Sequence, residues 1–279
     1  MSIGSCISAM GNVENIVLPG VDIIKVMDSG QCFRVVPFEG EHRIVAGSHL
    51  AFGFQSGKDL ELVVQNGTSD FWQHYFDMGR DYISIREYFK SYEGRGSEFI
   101  TASAEAGAGM PLLNQDPFET LLSFIISQRK SIPAIRKCVE SICDKYGSEI
   151  VPGIHAFPTP SQLEYADFIE TGAGYRAAYL QDAVQAVCNG TLDLKSLRSK
   201  SYEVALEMLK HLYGVGDKVA NCTLLYGLGF DNAFPIDVWV NRIIDEEFAG
   251  AFPYTAFPEY KGILQLYMFY QKRRMSGGL

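Results

Sequence analysis

The sequence predicts an α+β protein, in which an antiparallel β-rich domain over residues 1–110 precedes an all-helical region over residues 111–279. Short β-type runs punctuated by glycine indicate the first part. A complete helix-start signal at Asp116 marks the change, and helical periodicity continues from there toward the C-terminus. No internal repeat is visible, so we expect one β-rich domain followed by helical domains.

The β-type runs of the first part lie at residues 32–37, 42–46 and 60–64. Glycines punctuate them, as is typical of strands joined by turns, and an antiparallel arrangement is therefore expected. Helical stretches are expected within this part at 71–76 and 83–92. The Gly/Ala-rich segment 106–110 is expected to link the two parts.

The helical region opens with Asp116, Pro117 and Glu119, which supply an N-cap, a first-turn proline and an acidic third position. Apolar residues at helical spacing predict one helix after Asp116 and a second that ends at Gly147.

Later helices are predicted by the same kinds of signal. Ser161 and Glu164 are spaced as a capping box. Helical patterns follow at about 175–188 and 202–211, and the second of these leads into a short glycine-containing turn.

The composition is that of a globular protein, because 47% of the 279 residues are hydrophobic and 20% are charged. No apolar run approaches the roughly 20 residues of a membrane span, so we expect no membrane association. Residues 1–20 show neither a basic start nor a sustained apolar segment, so we expect an intracellular protein without a secretory signal. The six cysteines lack metal-ligand spacing, which predicts reduced thiols and no iron–sulfur cluster.

The formal net charge of −9 argues against an extended nucleic-acid footprint. Any such footprint must be local. Basic clusters that could supply it occur at 129–130, 136–137, 195–200 and 272–274, and about half of them are explained as ordinary solvated faces.

Residues 211–218 join two helical patterns through a turn that carries Gly214 and Gly216. Glycines permit positive φ and close backbone approach. The amides of such a turn and of the next helix can bind a phosphate without any side-chain charge. A plain helical hairpin is the alternative.

Lys218 falls in the first turn of the helix after this hairpin, where the helix dipole disfavours a cation and favours a nucleophilic neutral amine. Asp237 follows 19 residues later, at the expected N-cap of another helix. Taken singly, a surface lysine and a capping aspartate are the simpler interpretations.

Together these residues resemble the helix-hairpin-helix DNA glycosylase superfamily. Its signature joins such a hairpin, here about residues 202–229, to a Gly/Pro-containing connector (229–235) and an aspartate. Lys218 resembles the lysine of the bifunctional branch, whose amine attacks C1′ and forms a Schiff base. Over roughly residues 13–274 the chain is most similar to the 8-oxoguanine DNA glycosylase/AP lyase family.

The resemblance implies a DNA-binding cleft between the domains, with Lys218 and Asp237 as catalytic residues. It implies a monomer that acts on damaged double-stranded DNA and needs no cofactor for the chemistry. The backbone carbonyls of Lys210, Leu212 and Val215 align with positions that hold a structural cation in the superfamily.

A base pocket is also implied. Gly30 opens the segment GQCFR, which resembles the family's GQxFR motif, and its carbonyl would accept N7–H of the oxidised base. Normal guanine has a lone pair at N7, so this contact discriminates by about 1 to 3 kcal/mol. The other implied base contacts are Cys222, Pro235, Gln265 and Phe269.

Gln265 and Phe269 share one helix face, which suits reading and stacking on a flipped base. Without the resemblance, a turn glycine, a buried small thiol, a solvated glutamine and a core aromatic are the alternatives.

Contacts to DNA are implied for residues spread along the helical region, namely Arg129, Tyr175, Arg176, Gly214, Gly216 and Trp239. Tyr175 and Arg176 resemble the family's GYRA segment, which enters the duplex beside the extruded nucleotide. An ordinary helix start is the alternative.

Three positions depart from animal members of the family. Arg129 and Ala134 stand where those members have an asparagine and an arginine that hold the orphaned cytosine, and Trp239 replaces a phosphate-binding histidine. Weaker discrimination for cytosine opposite the lesion is therefore expected.

Two other functions remain open on the sequence alone. A monofunctional alkylated-base glycosylase of the same fold would use the aspartate without a lysine at position 218. A noncatalytic hairpin module would bind DNA through its backbone and would need neither Lys218 nor Asp237.

Overall fold

The computed structural model describes residues 14–277, so the expectation about a secretory signal falls largely outside the described residues. The N-terminal part forms an antiparallel sheet of five strands in the order β1-β5-β4-β3-β2. These strands are β1 (Glu14–Leu18), β2 (Val35–Phe38), β3 (Glu41–Ala46), β4 (His49–Ser56) and β5 (Asp59–Val64).

The strand register aligns one buried row across the sheet. Val35 lies opposite Ile44, Ile44 opposite Ala51, and Ala51 opposite Val64, and all four are buried. Because side chains alternate along a strand, this register turns one apolar face toward the same core. Trp72 packs into that core.

The helices of the first part are α1 (Ile23–Asp28), α2 (Ser69–Tyr75), α3 (Tyr82–Lys90) and α4 (Ser97–Ala106). Those of the second part are α5 (Pro117–Ser127), α6 (Ile132–Tyr146), α7 (Pro160–Leu163), α8 (Ala177–Cys188), α9 (Leu194–Leu197), α10 (Tyr202–Lys210), α11 (Asp217–Leu228), α12 (Val238–Phe248) and α13 (Lys261–Met275). Short 3-10 turns precede α8 and α13 at Gly174–Arg176 and Tyr254–Ala256. The predicted α+β class is confirmed.

The second part is not wholly helical, because a short hairpin of β6 (Glu149–Val151) and β7 (Ile154–His155) interrupts it. Val151 and Ile154 pack against Phe52, which lies on the second face of the large sheet. The hairpin thus covers apolar surface that the N-terminal domain leaves open.

The capping box predicted at Ser161 and Glu164 is wrong by two residues. Thr159 caps α7 instead, and Gln162 returns the second hydrogen bond to the Thr159 backbone. Pro160 supplies the first helical position, which suits a residue without an N–H.

Helices α3 and α4 precede residue 110 in the chain but pack into the helical core. Phe89 of α3 and Ile100 of α4 belong to the same buried cluster as Leu121 and Tyr267. A buried residue, Arg34, ties the sheet to this core from the other side. Its guanidinium donates to Glu140 of α6 at 3.1 Å and to the His155 carbonyl of β7 at 2.6 Å.

Helices α5 and α11 cross in antiparallel contact at Gly227. A Cβ there would come within 2.9 Å of Pro117 Cα, so only glycine permits this approach without displacement of α5. The contact places the beginning of α11 beside the end of α5. Within the described residues, no helix is long and apolar enough to cross a membrane.

Candidate active site

A cavity of about 730 Å³ opens where the segment after α1, the end of α5, the start of α11, the α12 N-terminus and α13 meet. Nine of the predicted site residues line it: Gly30, Arg129, Lys218, Cys222, Pro235, Asp237, Trp239, Gln265 and Phe269. Residues nearly 240 positions apart in the chain therefore share one site.

The charged side chains around the cavity are mainly basic. Arg129, Lys130, Lys218 and Arg273 line it, against the carboxylate of Asp237. This local excess of positive charge suits a polyanion in a chain whose net charge is −9.

Lys218 lies in the first turn of α11, and its amine reaches the end of α5. The Nζ donates to Ser127 Oγ at 2.7 Å and lies 4.8 Å from the centre of the Phe124 ring. The amine is thus held at the wall of the cavity rather than in bulk solvent, and its two contacts come from one neighbouring helix.

Asp237 caps α12, as its position predicted. One carboxylate oxygen, Oδ1, accepts from the backbone N–H groups of Trp239 at 3.0 Å and Val240 at 2.9 Å. A helix N-terminus favours negative charge, so the carboxylate is held by the amides of its own helix while it faces the cavity.

Gly30 adopts φ +76°, which favours glycine, and its Cα lies close to Phe269. The next residue anchors this segment. Gln31 is buried, its amide donates to the Pro111 carbonyl at 3.0 Å, and its side-chain oxygen accepts from Leu113 N–H at 2.9 Å. These bonds fix the segment against the chain that leads into α5.

Gln265 of α13 is buried, and Tyr226 of α11 donates its hydroxyl to Gln265 Oε1 at 3.4 Å. Burial raises the pKa of Tyr226 well above its usual value, so the hydroxyl keeps the proton that it donates. The Tyr226 ring stacks on Phe124 with centroids 5.4 Å apart.

Cys222 lines the same cavity one turn after Lys218. Burial raises the pKa of its thiol to about 12, while Lys218 has the opposite effect. The sulfur is therefore a neutral thiol at physiological pH, and it presents a polarisable, uncharged surface to any bound ring.

The hairpin between α10 and α11 packs against α8. A Cβ on Gly214, which has φ +77°, would fall 2.3 Å from Tyr179 Cγ, so this turn rests on the Tyr179 ring. The Gly214 carbonyl accepts from Gln128 Nε2 at 3.1 Å. Gly216 is the exposed N-cap of α11.

Tyr175 and Arg176 lie outside the cavity lining and differ in orientation. Tyr175 is 54% exposed, whereas Arg176 is buried. The Arg176 Nε donates to the Gln128 carbonyl at 2.8 Å, and its guanidinium lies 4.3 Å from the Tyr175 ring centre. Arg176 thus supports the exposed tyrosine and the end of α5 from within the protein.

Arg129 follows Gln128 in the chain, with φ +52° and an exposed side chain at the cavity edge.

The remaining predicted residues, Lys210, Leu212 and Val215, lie at the hairpin. The Leu212 carbonyl accepts from Val215 N–H at 3.1 Å, and Lys210 Nζ pairs with Asp217 at 2.9 Å.

No cluster of three His, Cys, Asp or Glu side chains suited to a metal occurs in the part of the chain that the structure describes. A cation at the hairpin would therefore be held by backbone oxygens. Carbonyl oxygens are hard donors that suit alkali and alkaline-earth ions, so the donor set is chemically consistent with such an ion.

Among the cavity residues that were not predicted, Phe124, Ser127 and Tyr226 contact predicted ones. Phe124 and Tyr226 sit on apolar helix faces, where an aromatic side chain has the same pattern as any core residue. Ser127 precedes the turn at the end of α5, and nothing in its neighbours along the chain distinguishes it.

Comparison with known proteins agrees with this arrangement. Residues 16–121 match the family described as 8-oxoguanine DNA glycosylase, N-terminal domain. The structure of MBOgg1 in complex with a low-affinity DNA ligand superimposes with a TM-score of 0.85 at 32% identity, over 95% of this chain and 99% of that chain. The chain belongs to the 8-oxoguanine DNA glycosylase family.

Other members of the 8-oxoguanine DNA glycosylase family agree. The Clostridium acetobutylicum 8-oxoguanine glycosylase/lyase, solved with double-stranded DNA containing cytosine opposite 8-oxoguanine, has a TM-score of 0.85 and 30% identity over 96% of this chain and 99% of its own. The Saccharomyces cerevisiae N-glycosylase/DNA lyase is 36% identical over 158 residues, which are 50% of this chain and 42% of the yeast protein. The resemblance predicted from the sequence is confirmed.

Proposed function

We propose that this chain is a base excision repair enzyme that removes 8-oxoguanine from duplex DNA and then nicks the strand. The observation that carries the proposal is the placement of Lys218 and Asp237 in one cavity with Gly30, Gln265 and Phe269. An amine, a carboxylate and a set of base-recognising groups thus face the same space.

Recognition requires the damaged nucleotide to leave the stack, because the cavity lies inside the protein. The Gly30 carbonyl accepts N7–H, which 8-oxoguanine has and guanine lacks. Gln265 bonds the Watson–Crick edge, and the base stacks between Phe269 and the neutral thiol of Cys222. Pro235 completes the wall.

The chemistry begins when the neutral amine of Lys218 attacks C1′. The C1′–N9 bond breaks and its electron pair leaves with the base, which takes up a proton. Asp237 stabilises the positive charge that develops on the sugar and steers proton transfers. Loss of a proton from nitrogen and opening of the sugar ring give a Schiff base.

Strand cleavage follows by β-elimination. A proton leaves C2′, the C3′–O bond breaks, and the 3′ phosphate departs with the electron pair. Water then hydrolyses the imine and regenerates the lysine. These steps are a displacement, a ring opening, an elimination, a hydrolysis and the accompanying proton transfers, and none needs an external oxidant or reductant.

Contacts to the duplex are assigned to the surface around the cavity. Tyr175 enters the stack with support from Arg176, the amides near Gly214 and Gly216 hold a phosphate, and Arg129 and Trp239 contact the strands at the cavity edge.

The carbonyls of Lys210, Leu212 and Val215 would hold a cation that bridges to that phosphate. We further propose a monomer that works on genomic DNA inside the cell. The proposed division into 1–110 and 111–279 is one of sequence, because α3 and α4 lie before residue 110 and pack in the helical core.

The test is borohydride trapping on a duplex that contains 8-oxoguanine. The wild type should give a covalent protein–DNA adduct, and Lys218→Gln should give none, whereas Lys58→Gln, at an exposed lysine outside the cavity lining, should trap normally. An adduct that persists in Lys218→Gln would overturn the assignment of the nucleophile. Excision without any trapped adduct would indicate a monofunctional glycosylase.

A further inference from the structure

We propose that Ser127 is a positioning residue that orients the lone pair of the Lys218 amine toward the reacting carbon. The proposal rests on the proposed role of Lys218 as the nucleophile. Ser127 belongs to a different helix from Lys218 and lies 91 residues before it in the chain.

The hydrogen bonds around Ser127 fix the direction of its hydroxyl. Ser127 Oγ donates to the backbone carbonyl of Phe124 at 2.7 Å, and the same oxygen accepts from Lys218 Nζ at 2.7 Å. A hydroxyl has one proton and two lone pairs. Because the proton is engaged by Phe124, Ser127 can only accept from the amine.

The direction of this hydrogen bond matters because Lys218 is the proposed nucleophile. A neutral primary amine has two N–H groups and one lone pair, and it rotates freely about the Cε–Nζ bond. One N–H that donates to Ser127 excludes the rotamer in which the lone pair points at α5, and so turns the lone pair toward the cavity. A serine whose proton was free would donate into the amine lone pair and block attack, whereas Ser127 leaves the lone pair available.

The surroundings keep the pair in place. The Phe124 ring lies 4.8 Å from Nζ and limits the swing of the side chain. The close crossing of α5 and α11 at Gly227 holds the helix that carries Ser127 against the helix that carries Lys218. The orientation of the amine is thus built into the packing of two helices before DNA binds.

The experiment measures borohydride trapping on a duplex with a preformed abasic site, at saturating enzyme. This substrate needs no base recognition, so it tests the amine alone. Ser127→Ala should lower the trapping rate about tenfold, since one orienting contact is lost, and Ser127→Thr, which restores a hydroxyl, should return the rate to within about twofold.

Two controls separate positioning from structure. Ser103→Ala removes a buried hydroxyl that bonds a backbone carbonyl of its own helix at the same 2.7 Å but does not line the cavity, and it should leave trapping unchanged. Affinity for a duplex with a tetrahydrofuran site, an uncleavable abasic analogue, should be equal in all variants, which shows that each is folded and binds DNA.

The proposal is overturned if Ser127→Ala traps at the wild-type rate, or if Ser127→Thr is as slow as Ser127→Ala. If instead these variants behave as expected on abasic DNA while the wild type fails to excise 8-oxoguanine, the base assignment fails and the role of Ser127 stands.

Discussion

Phe269 lies directly against Gly30, so closely that a Cβ on Gly30 would come within 3.1 Å of Phe269 Cε1. The two residues are far apart in the chain and belong to the proposed base pocket. Their contact joins the segment whose carbonyl is proposed to discriminate the base to the ring that is proposed to stack on it. A side chain at position 30 would displace that ring.

Gly30→Ala should lower 8-oxoguanine excision by about 10- to 100-fold, because the methyl group displaces the Phe269 ring and strains a backbone at φ +76°. Single-turnover excision measures the effect. Gly57→Ala is the matched control, since Gly57 has φ +61° but open space around a Cβ. Equal losses of excision rate in both variants would show that backbone strain, and not displacement of the Phe269 ring, causes the effect.

Tyr226→Phe should weaken recognition of the flipped base without affecting the amine. Loss of the hydroxyl frees the Gln265 amide to rotate, so KM for 8-oxoguanine DNA should rise about three- to tenfold, while trapping on abasic DNA stays constant. Tyr267→Phe removes a buried hydroxyl that bonds Met110 at 3.2 Å outside the cavity and should change neither quantity. A lower trapping rate in Tyr226→Phe would contradict this separation.

Asp237 should couple activity to stability, because its carboxylate both faces the cavity and caps α12. Asp237→Asn keeps a good cap but loses the charge, whereas Asp237→Ala loses both and should cost about 1 kcal/mol of unfolding free energy. Both variants should lose most excision. Urea denaturation and single-turnover rates measure the two effects, and near-normal activity in Asp237→Asn would show that the charge is dispensable.

The choice of the base opposite the lesion should be broad. Arg129 offers only donors, which match acceptors on every base edge, and Ala134 offers no polar group. Excision rates opposite C, A, G and T should therefore lie within about tenfold of one another. Activity confined to cytosine would refute the prediction.

Glu119 should make stability depend on pH. Burial raises the pKa of this carboxyl from 4.5 to about 7, against the opposing effect of Arg34. As pH rises, this carboxyl loses its proton at a lower pH in the unfolded chain than in the folded protein. The free energy of unfolding therefore falls between pH values of about 4.5 and about 7. Glu119→Gln has no carboxyl at this position, so its free energy of unfolding should not fall in this way. The difference in stability between Glu119→Gln and wild type should therefore increase in favour of the variant from pH 5 to pH 8. Urea midpoints that change in parallel for both proteins would exclude the effect.

Lys218, Asp237, Gln265 and Phe269 were identified from the sequence through the resemblance to a known family, and the structure brings all four to one cavity. Tyr226 was not identified, because an aromatic residue on a buried helix matches the core pattern whether or not its hydroxyl faces a site.

Among the secondary structure elements, β4 and α4 were missed for different reasons. Four consecutive buried residues in β4 hide the alternation expected of a strand with one buried face. Helix α4 begins at Gly96 without a side-chain cap, so its start carries no signal. Its role became visible only through packing in the helical core.

Three consecutive residues at the end of α5 differ in how firmly they are tied to the rest of the protein. Ser127 Oγ bonds the Lys218 amine, and Gln128 Nε2 bonds the Gly214 carbonyl, so a change of either side chain would leave a neighbour without its partner. The Arg129 side chain is exposed and is not constrained in this way by the proposed catalytic groups. Substitution of Arg129 should therefore change the proposed preference for the opposite base while excision persists, so the two properties should be separable by mutation at this one position.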